Sequence, residues 1–392
     1  MNLLVLTSLW PNAEQPDFSP FVRQRIAAIA RSAEVRVVAP VPYFPRRIRS
    51  TLVPAHWRRA ARIPMAEEVA GFETAHPRWL ATPRIGMRFY SRWMARAVEP
   101  ALRRMHAERP IDLIDAHYVY PDGHAAVLVA RRLGLPVVIT ARGSDVHQFS
   151  EMAAIRPLIR EALAAADGVI AVSGALRRRM VELGIPEEKI AVIRNGIDGA
   201  VFAPRDRAAA RRRLGVPAER RMLLSVGHLV PVKGFDRLID AMDSIEARDV
   251  ALHIVGEGPE RPRLAERIRA RALQDRVFLP GARPHAELAD WYSAADLFCL
   301  ASLREGCPNG VLEAMACGAP VLAADVGGIA EILPPACGRV LAPASSEDFA
   351  AGIARALERQ WDRDEIARRG AARAWPQVAA EVLEYYERRG LR

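Results

Sequence analysis

The chain has little that would place it in a membrane or in an oxidising compartment. None of its apolar runs approaches the ~18 uncharged residues that a membrane-spanning helix needs. Its start, MNLLVLTSLWP, has no basic residue before the apolar run, so we expect no signal peptide. The cysteines at 299, 307, 317 and 337 form no CxxC pair and have no interleaved histidine, which argues against a metal site. We therefore predict a cytoplasmic protein with reduced, mostly buried thiols.

Lysine is also nearly absent, since Lys189 and Lys233 are the only lysines among 56 Lys and Arg residues. The positive charge is unevenly placed: residues 31–110 hold 16 arginines and 6 acidic residues, an excess equal to the whole net charge of +10. Such a segment fits an anionic substrate, an anionic membrane surface or nucleic acid. No zinc-finger or RNP-type signature accompanies it, so nucleic acid is the weakest of the three.

A chain of 392 residues with 51% hydrophobic and 26% charged residues is long enough for two globular domains. Short apolar runs alternate with helix-length amphipathic stretches, which is typical of βαβ units and parallel sheets. Predicted strands lie at 3–6, 35–39, 111–115, 137–140, 169–172 and 191–193, and in a second series at 222–226, 251–255, 277–279, 297–300 and 321–323. An arginine-rich stretch at 205–213 separates the two series.

The predicted fold class is therefore α/β, with two Rossmann-like domains at 1–198 and 199–372. Residues 363–389 look helical, with Trp375, Val378, Val382 and Tyr385 on an apolar stripe. We expect the segment 373–392 to form a helix that returns to the first domain.

Ligands of open parallel sheets lie beyond the carboxyl ends of the strands, so residues that follow strands are the candidates for chemistry. The most specific stretch is EGCPNGVLE, which runs from Glu305 to Glu313 and opens a helix. Amides at a helix start can hold a phosphate, and a carboxylate one turn on can accept two sugar hydroxyls. A loop glutamate and a helix glutamate on a solvated face is the alternative, but Gly306, Pro308 and Gly310 shape a turn directly after a strand.

With these residues the chain resembles a family 4 glycosyltransferase, a retaining enzyme whose two Rossmann-like domains face each other across a cleft in the B-type fold. The resemblance covers nearly the whole chain. It implies a nucleotide-sugar donor, with Glu305 at the transferred sugar and Glu313 at the ribose hydroxyls. The donor sugar and phosphate would face the intervening stretch of Gly306, Cys307, Pro308, Asn309, Val311 and Leu312.

A second matching stretch, SVGHLVPVKGF, follows the first strand of the second domain. The resemblance assigns His228 and Lys233 to the donor diphosphate, although the family more often has arginine where this chain has His228. A lysine retained where arginine is otherwise nearly universal favours a site that needs a compact point charge. A surface lysine before a helix is the alternative. By the same resemblance, backbone around 281–283, ending at Arg283, reads the base.

In the first domain, His117 follows a strand, and the resemblance places it beside the donor sugar. With Glu305 and Lys233 it completes the predicted catalytic set. The next strand ends in TARGSD, so Arg142, Ser144 and Asp145 are expected on the acceptor side, although Asp145 could instead orient a loop or cap a helix.

The loop at 8–22 lacks the glycines that family members often carry near the diphosphate. Ser19 and Phe21 are the candidates to replace them, with Ser19 assigned to the acceptor side. Asn195 and Gly196 suit a structural turn between the domains. No cofactor or metal is required, because the only Asp-x-Asp, Asp362 and Asp364, lies in a helical region without a preceding strand.

The stretch 87–109 is a candidate for peripheral attachment to an anionic membrane. It carries apolar residues at helical spacing beside a polar side of arginines, namely Tyr90, Trp93, Met94, Ala97, Ala101 and Met105 beside Arg88, Arg92, Arg96, Arg103 and Arg104. A core helix with a solvated face is the alternative.

The sequence thus predicts a retaining, metal-independent transferase that moves a sugar from a UDP- or GDP-sugar to a lipid-linked or other saccharide acceptor in surface polysaccharide assembly. A soluble acceptor and a non-catalytic sugar-nucleotide-binding protein are the alternatives. A nicotinamide-dependent oxidoreductase is disfavoured because neither opening strand is followed by GxGxxG.

Overall fold

The computed structural model describes residues 1–43, 55–82, 86–342 and 344–391, and these form two compact units. Unit 1 comprises Met1–Asn195 and Trp375–Arg392, and unit 2 comprises Gly196–Ala374. The boundaries predicted from the sequence are 198/199 and 372/373. The chain therefore leaves unit 1 once and returns to it once. At the two crossings, Ile197 and Ala374 pair in an isolated parallel bridge within unit 2.

Unit 1 is built around a sheet whose central strands are parallel and almost completely buried. Its strands are β1 Asn2–Leu6, β2 Glu34–Val38, β3 Val41–Tyr43, β4 Ala66–Val69, β5 Phe72–Ala75, β6 Arg78–Leu80, β7 Leu113–His117, β8 Val137–Ala141, β9 Gly168–Ala171 and β10 Ile190–Val192. Its helices up to the first crossing are α1 Pro20–Ile29, α2 Ala55–Ala60, α3 Tyr90–Glu108, α4 His124–Leu133, α5 Ser144–His147, α6 Arg156–Ala165 and α7 Gly174–Glu182.

The strand order of the main sheet in unit 1 is β10-β9-β8-β7-β1-β2-β5-β4. All neighbouring pairs are parallel except β4 with β5, which form an antiparallel edge hairpin. The order reverses at β1, because β2 lies on one side of it and β7 on the other. Loops after β1 and β7 therefore meet at the topological switch point, where open α/β sheets bind ligands.

Unit 2 repeats this architecture in a shorter form. Its strands are β11 Arg221–Val226, β12 Val250–Val255, β13 Val277–Gly281, β14 Leu297–Leu300, β15 Val321–Ala324 and β16 Gly338–Leu341. Its helices are α8 Arg207–Leu214, α9 Phe235–Asp243, α10 Arg261–Ala270, α11 Leu288–Ala294, α12 Asn309–Ala316, α13 Ile329–Ile332, α14 Ser346–Glu358 and α15 Arg363–Ala371. The parallel order β13-β12-β11-β14-β15-β16 is that of a Rossmann fold.

Each unit has its own apolar cores on the faces of its sheet. In unit 1, α16 Trp375–Arg388 packs against α1. The predicted stripe of Trp375, Val378, Val382 and Tyr385 is buried in that core, and the hydroxyl of Tyr385 bonds to backbone groups of Val169 and Lys189. The two Rossmann-like domains and the returning helix are confirmed. The predicted helical region at 363–389 is two helices, α15 in unit 2 and α16 in unit 1.

The apolar face of α3 is not free to enter a membrane. Met94, Val98, Leu102 and Met105 are buried, and the helix packs against α4 and β6. The five arginines predicted on its polar side are exposed. The predicted stripe was therefore partly wrong, since Val98 and Leu102 rather than Ala97 and Ala101 complete it, and α3 is a core helix with a basic outer face.

Four arginines of the arginine-rich segment 31–110 lie outside the described residues, namely Arg46, Arg47, Arg49 and Arg84. No helix among the described residues is both long and apolar enough to cross a bilayer.

Candidate active site

The carboxyl edge of the unit 2 sheet is formed by loops that approach one another more closely than side chains would allow. Gly234, which starts α9 with φ +63°, has no room for a Cβ, because that atom would lie 2.1 Å from the carbonyl oxygen of Ala301. At Gly327 a Cβ would lie 1.9 Å from the carbonyl oxygen of Glu305. The loops after β11, β14 and β15 are therefore locked together by backbone contacts, which holds the neighbouring Lys233 and Glu305 in place.

Lys233 and Glu305 form the central ion pair of this edge. The Lys233 ammonium donates to Oε1 of Glu305 at 2.6 Å, and the Ser302 hydroxyl donates to the same oxygen at 2.7 Å. The Lys233 side chain is 26% exposed and that of Glu305 is 10% exposed. Because the ammonium has three donors and only one is directed at Glu305, it can bind a further anion.

Glu313 lies on α12 and is oriented by aromatic side chains of the neighbouring α11 region. The Tyr292 hydroxyl donates to Oε2 at 2.9 Å, and His285 Nε2 lies 3.3 Å from Oε1. Burial and the negative charge of Glu313 raise the pKa of Tyr292 well above its ordinary value, so the hydroxyl stays protonated and donates. Phe202 packs edge-on against both rings. Each carboxylate oxygen keeps a lone pair for a ligand hydroxyl.

The stretch between the two glutamates forms the turn into α12, which begins at Asn309 after Pro308. Gly306, Pro308 and Val311 are buried, whereas Cys307, Asn309 and Leu312 are partly exposed. Pro308 gives α12 no side-chain cap, and the positive end of the helix dipole lies at this turn because it is the N-terminus of the helix. Cys307 is a free thiol, as are the three buried cysteines at 299, 317 and 337.

His228 and Arg283 lie at the rim of the same edge. His228 is exposed, and its Nδ1 is 2.6 Å from the carbonyl oxygen of Glu257. Because a carbonyl oxygen can only accept, Nδ1 of His228 is the donor in this contact, and Nε2 is directed away from Glu257. Arg283 follows β13, donates to the carbonyl oxygen of Pro280 at 3.2 Å, and places its guanidinium 5.9 Å from the centre of the Trp291 ring.

In unit 1, His117 ends β7 and is completely buried. Its Nδ1 lies 2.5 Å from a guanidinium nitrogen of Arg142, and its Nε2 lies 3.2 Å from Oδ2 of Asp115. Arg142 follows β8, is partly exposed, bonds to Oδ1 of Asn195 at 3.2 Å and lies 5.4 Å from the centre of the Phe21 ring. The structure thus brings together His117, Arg142 and Phe21, but surrounds the His117 ring with protein.

Asp145 has the environment of an orienting group. It is buried, and its carboxylate accepts the backbone amides of Val119, Arg142 and Gly143 at 2.7 to 3.1 Å. Burial raises its pKa even though these amides oppose the shift. Its carboxylate has no exposed surface with which to meet an acceptor, whereas Ser144 is exposed and its hydroxyl lies 2.8 Å from that of Tyr118.

The loop after β1 is anchored by Asp122, for which the sequence predicts no role. The buried Asp122 carboxylate accepts both the amide and the hydroxyl of Ser8. Burial raises the pKa of Asp122 to about 7. Ser19, further along this loop, is partly exposed and precedes α1 with a left-handed φ of 47°.

The groups that support the predicted residues are those that sequence reasoning missed. Ser302 lies three residues before Glu305 and could have been found as its local partner. Tyr292 and His285 reach Glu313 only through tertiary packing, so their spacing carries no signal. Asp115 lies two residues before His117 in β7, so the alternation of side chains along a strand could have placed the two on one face. Among the described residues, no three His, Cys, Asp and Glu side chains cluster as metal ligands would. Asp362 of the Asp-x-Asp pair instead caps α15.

Two family models match the chain. Glycosyltransferase Family 4 matches residues 26–200, and glycosyl transferases group 1 matches residues 206–373. The chain is 34% identical over 317 residues to a D-inositol 3-phosphate glycosyltransferase of Kineococcus radiotolerans, which covers 72% of this chain and 73% of that protein. It is 28% identical over 373 residues to TuaC of Bacillus subtilis, whose name assigns it to teichuronic acid biosynthesis, covering 94% and 92% of the two chains.

The fold is shared with solved structures of much lower sequence identity. Sucrose-phosphate synthase of Thermosynechococcus elongatus superposes with a TM-score of 0.79 at 21% identity, over 99% of this chain and 98% of that one. HepE of Anabaena, solved in complex with UDP-glucose, gives a TM-score of 0.72 at 20% identity over 99% of each chain. The fold and the relatives together define a glycosyltransferase of the B type. Within that class, the chain belongs to glycosyltransferase family 4.

Proposed function

We propose that the protein is a retaining glycosyltransferase that moves a sugar from a UDP- or GDP-sugar to a lipid-linked saccharide acceptor in surface polysaccharide assembly. The observation that carries this proposal is the paired carboxylate edge of unit 2, where Glu305 is held against Lys233 and Ser302, and Glu313 against Tyr292 and His285. A cation, two carboxylates and the start of a helix on one sheet edge suit a diphosphate joined to two sugars.

In the proposed reaction, the bond between the sugar and the diphosphate breaks, the acceptor hydroxyl attacks from the same face, and its proton passes to the leaving diphosphate oxygen. Negative charge then grows on the leaving diphosphate. Lys233, His228 with a proton on both ring nitrogens, and the positive end of α12 stabilise that charge without reorganising, because the interlocked loops hold Lys233 in place. Glu305 contacts the transferred sugar and Glu313 the ribose hydroxyls, while Arg283 lies beside the base. Preorganised positive charge takes the place of a metal ion.

The lipid-linked acceptor is supported by the likeness to TuaC over 94% of the chain. A soluble acceptor is the second candidate, and the likeness to D-inositol 3-phosphate glycosyltransferases at 33% and 34% identity favours it. A non-catalytic sugar-nucleotide-binding protein is the third candidate. The Lys233–Glu305 pair favours an enzyme, because it places a cation beside the carboxylate assigned to the transferred sugar.

Peripheral association with an anionic membrane is proposed in an electrostatic form. The apolar face of α3 is buried, so insertion of that face into lipid does not contribute. The outward-facing guanidinium groups of Arg88, Arg92 and Arg96 supply the attraction, at up to ~1 kcal/mol for each basic group near the surface.

The test is a donor screen with the purified chain, in which each of several UDP- and GDP-sugars is assayed for thermal stabilisation and for hydrolysis or transfer. One donor should be stabilising and turned over, and its product should keep the anomeric configuration of the donor. Activity should survive excess EDTA. Binding without turnover would identify a binding protein, and a loss restored by magnesium or manganese would overturn the metal-free reaction.

A further inference from the structure

Unit 1 contains a chain of buried polar groups that the proposed reaction does not use. Asp115 lies in the middle of β7, the central strand, on the face covered by α1 and α16. Arg25 of α1 and Tyr386 of α16 approach its carboxylate, and all three side chains are at most 1% exposed. From Asp115 the chain continues through His117 to Arg142, at 3.2 Å and 2.5 Å.

This arrangement is costly for a protein core. Burying the opposite charges of Arg25 and Asp115 costs several kcal/mol for each charge, and apolar side chains would pack as well or better. Among the described residues, both Asp115 oxygens, Nε2 of His117, Tyr386 Oη and two Arg25 nitrogens lack a well-aligned hydrogen-bond partner, so the 3.2 Å approach of Asp115 to His117 is an electrostatic contact. Stability alone does not account for such a cluster, so its function should involve the member of this chain of polar groups that reaches solvent. That member is Arg142, which is partly exposed.

The chemistry of the contacts determines the form of His117. A guanidinium can only donate, so Nδ1 of His117 must be an acceptor, and the ring proton must then be on Nε2, beside Asp115. Burial and the charge of Arg142 hold the pKa of His117 to about 4. Burial would raise the pKa of Asp115, but His117, Arg25 and Tyr386 outweigh it and keep the carboxyl ionised. The ring is therefore neutral at pH 7 and protonated on Nε2.

We propose that Asp115 is a positioning residue which, through His117, holds the Arg142 guanidinium to receive an anionic group of the acceptor. His117 then acts through Arg142 rather than by touching the donor sugar, because its ring has no exposed surface. Asn195 and Phe21 hold the same guanidinium from other sides. The inference rests on the proposed function only in taking Arg142 to lie on the acceptor side.

The first experiment needs no substrate. Nitrogen-15 histidine spectra of the full chain should show His117 as the neutral Nε2–H form at pH 7. Asp115→Asn keeps an oxygen for the Nε2 proton but removes the charge, so His117 should keep the Nε2–H form set by Arg142 while its Nε2 resonance shifts. A protonated or Nδ1–H ring in the unmodified protein, or an unmoved Nε2 resonance in Asp115→Asn, would overturn the positioning role.

The same spectra test the anion. Titration with inorganic pyrophosphate should move the His117 Nδ1 resonance in a saturable way, because an anion on Arg142 perturbs the bond that Nδ1 accepts. The shift should be absent in Arg142→Met. If pyrophosphate leaves the resonance unmoved in the unmodified protein, Arg142 is not an anion site. Neither spectrum depends on turnover, so a failed donor screen would leave these results standing.

Kinetics with an active donor separate positioning from structure. Asn places its amide oxygen where Nδ1 of histidine lies, and Gln places it near Nε2, so His117→Asn should retain more transfer than His117→Gln. Asp115→Asn should raise the acceptor KM ~10-fold or more and leave the donor KM unchanged. Tyr385→Phe is the control, since within the described residues its hydroxyl bonds to backbone of Val169 and Lys189. This variant should lower the Tm without changing either KM. Equal transfer by His117→Asn and His117→Gln would contradict the role of Nδ1.

Discussion

Replacing Lys233 with alanine tests the proposed reaction most directly, because the residue has two connections with different consequences. One is the bond to Glu305 at 2.6 Å, and the other is the proposed contact with the diphosphate. Loss of a charge-assisted bond costs roughly 1.5 to 3 kcal/mol, which corresponds to about a 10- to 150-fold change in an equilibrium. Since the diphosphate charge grows as the sugar bond breaks, kcat should fall on the order of 100-fold or more. Donor KM should rise as well, because the ground state already carries charge.

The chain offers a matched control in Lys189, its other lysine. Lys189 lies in unit 1, where its ammonium donates to the carbonyl oxygen of Ala164, so Lys189→Ala removes the same charge without touching the candidate site. Steady-state transfer or donor hydrolysis should be unchanged in Lys189→Ala and reduced in Lys233→Ala at equal Tm. Lys233→Arg should recover only part of kcat, since a planar guanidinium does not replace a compact ammonium. If Lys233→Ala keeps the kcat of the unmodified chain while folded, the diphosphate role is wrong.

Three further predictions follow from the geometry. Glu313→Ala should raise the donor KM by ~10-fold or more with little change in kcat. Tyr292→Phe keeps the carboxylate but removes its 2.9 Å hydrogen-bond partner, so it should raise the donor KM by only about 5-fold. A large fall in kcat for either variant would contradict a role in ground-state binding. Because burial raises the pKa of Asp122 from 3.8 to about 7, its contribution to the free energy of unfolding should be complete below pH 4 and lost as the pH rises through 7. Denaturant titrations should therefore show a free energy of unfolding that falls with pH over this range, and Asp122→Asn should weaken that pH dependence. An unchanged pH dependence in Asp122→Asn would refute the shift. Co-sedimentation with anionic vesicles should weaken in high salt and in an Arg88, Arg92, Arg96 triple alanine variant, whereas equal binding to neutral vesicles would argue against electrostatic association.

The buried parallel strands could be predicted because each is a short apolar run. Observed β1, β7, β8, β11, β12 and β14 begin or end within two residues of the predicted positions. The strands that were missed lie where that signal fails. β4 and β5 read AEEV and FETA, an antiparallel edge hairpin with charged residues in it, and β3 and β6 are three-residue strands. β16 is the edge strand GRVL, with an exposed arginine.

The candidate site was predictable to the extent that its residues follow strands. A carboxyl strand end is visible in the sequence, which located Glu305, Glu313, Lys233 and Arg142. The side chains that hold these residues in place could not be predicted from the sequence. Tyr292 is 21 residues from Glu313, and Ser8 is 114 residues from Asp122, so only the packed chain brings these partners together. His117 could be found by its position, but its burial depends on Asp115, Arg142 and the helix that returns to unit 1.

That returning helix has a consequence for synthesis. Unit 2 is one continuous segment, 196–374, and all of its strands are available once residue 374 has been made. Unit 1 is not complete until α16 is made, because Trp375, Val382 and Tyr386 cover the same face of its sheet as α1. On the ribosome we therefore expect the unit that begins first to mature second, with its apolar face open while unit 2 folds. A chain that ends at residue 374 and is released from the ribosome should show a protease-resistant unit 2 and a protease-sensitive unit 1.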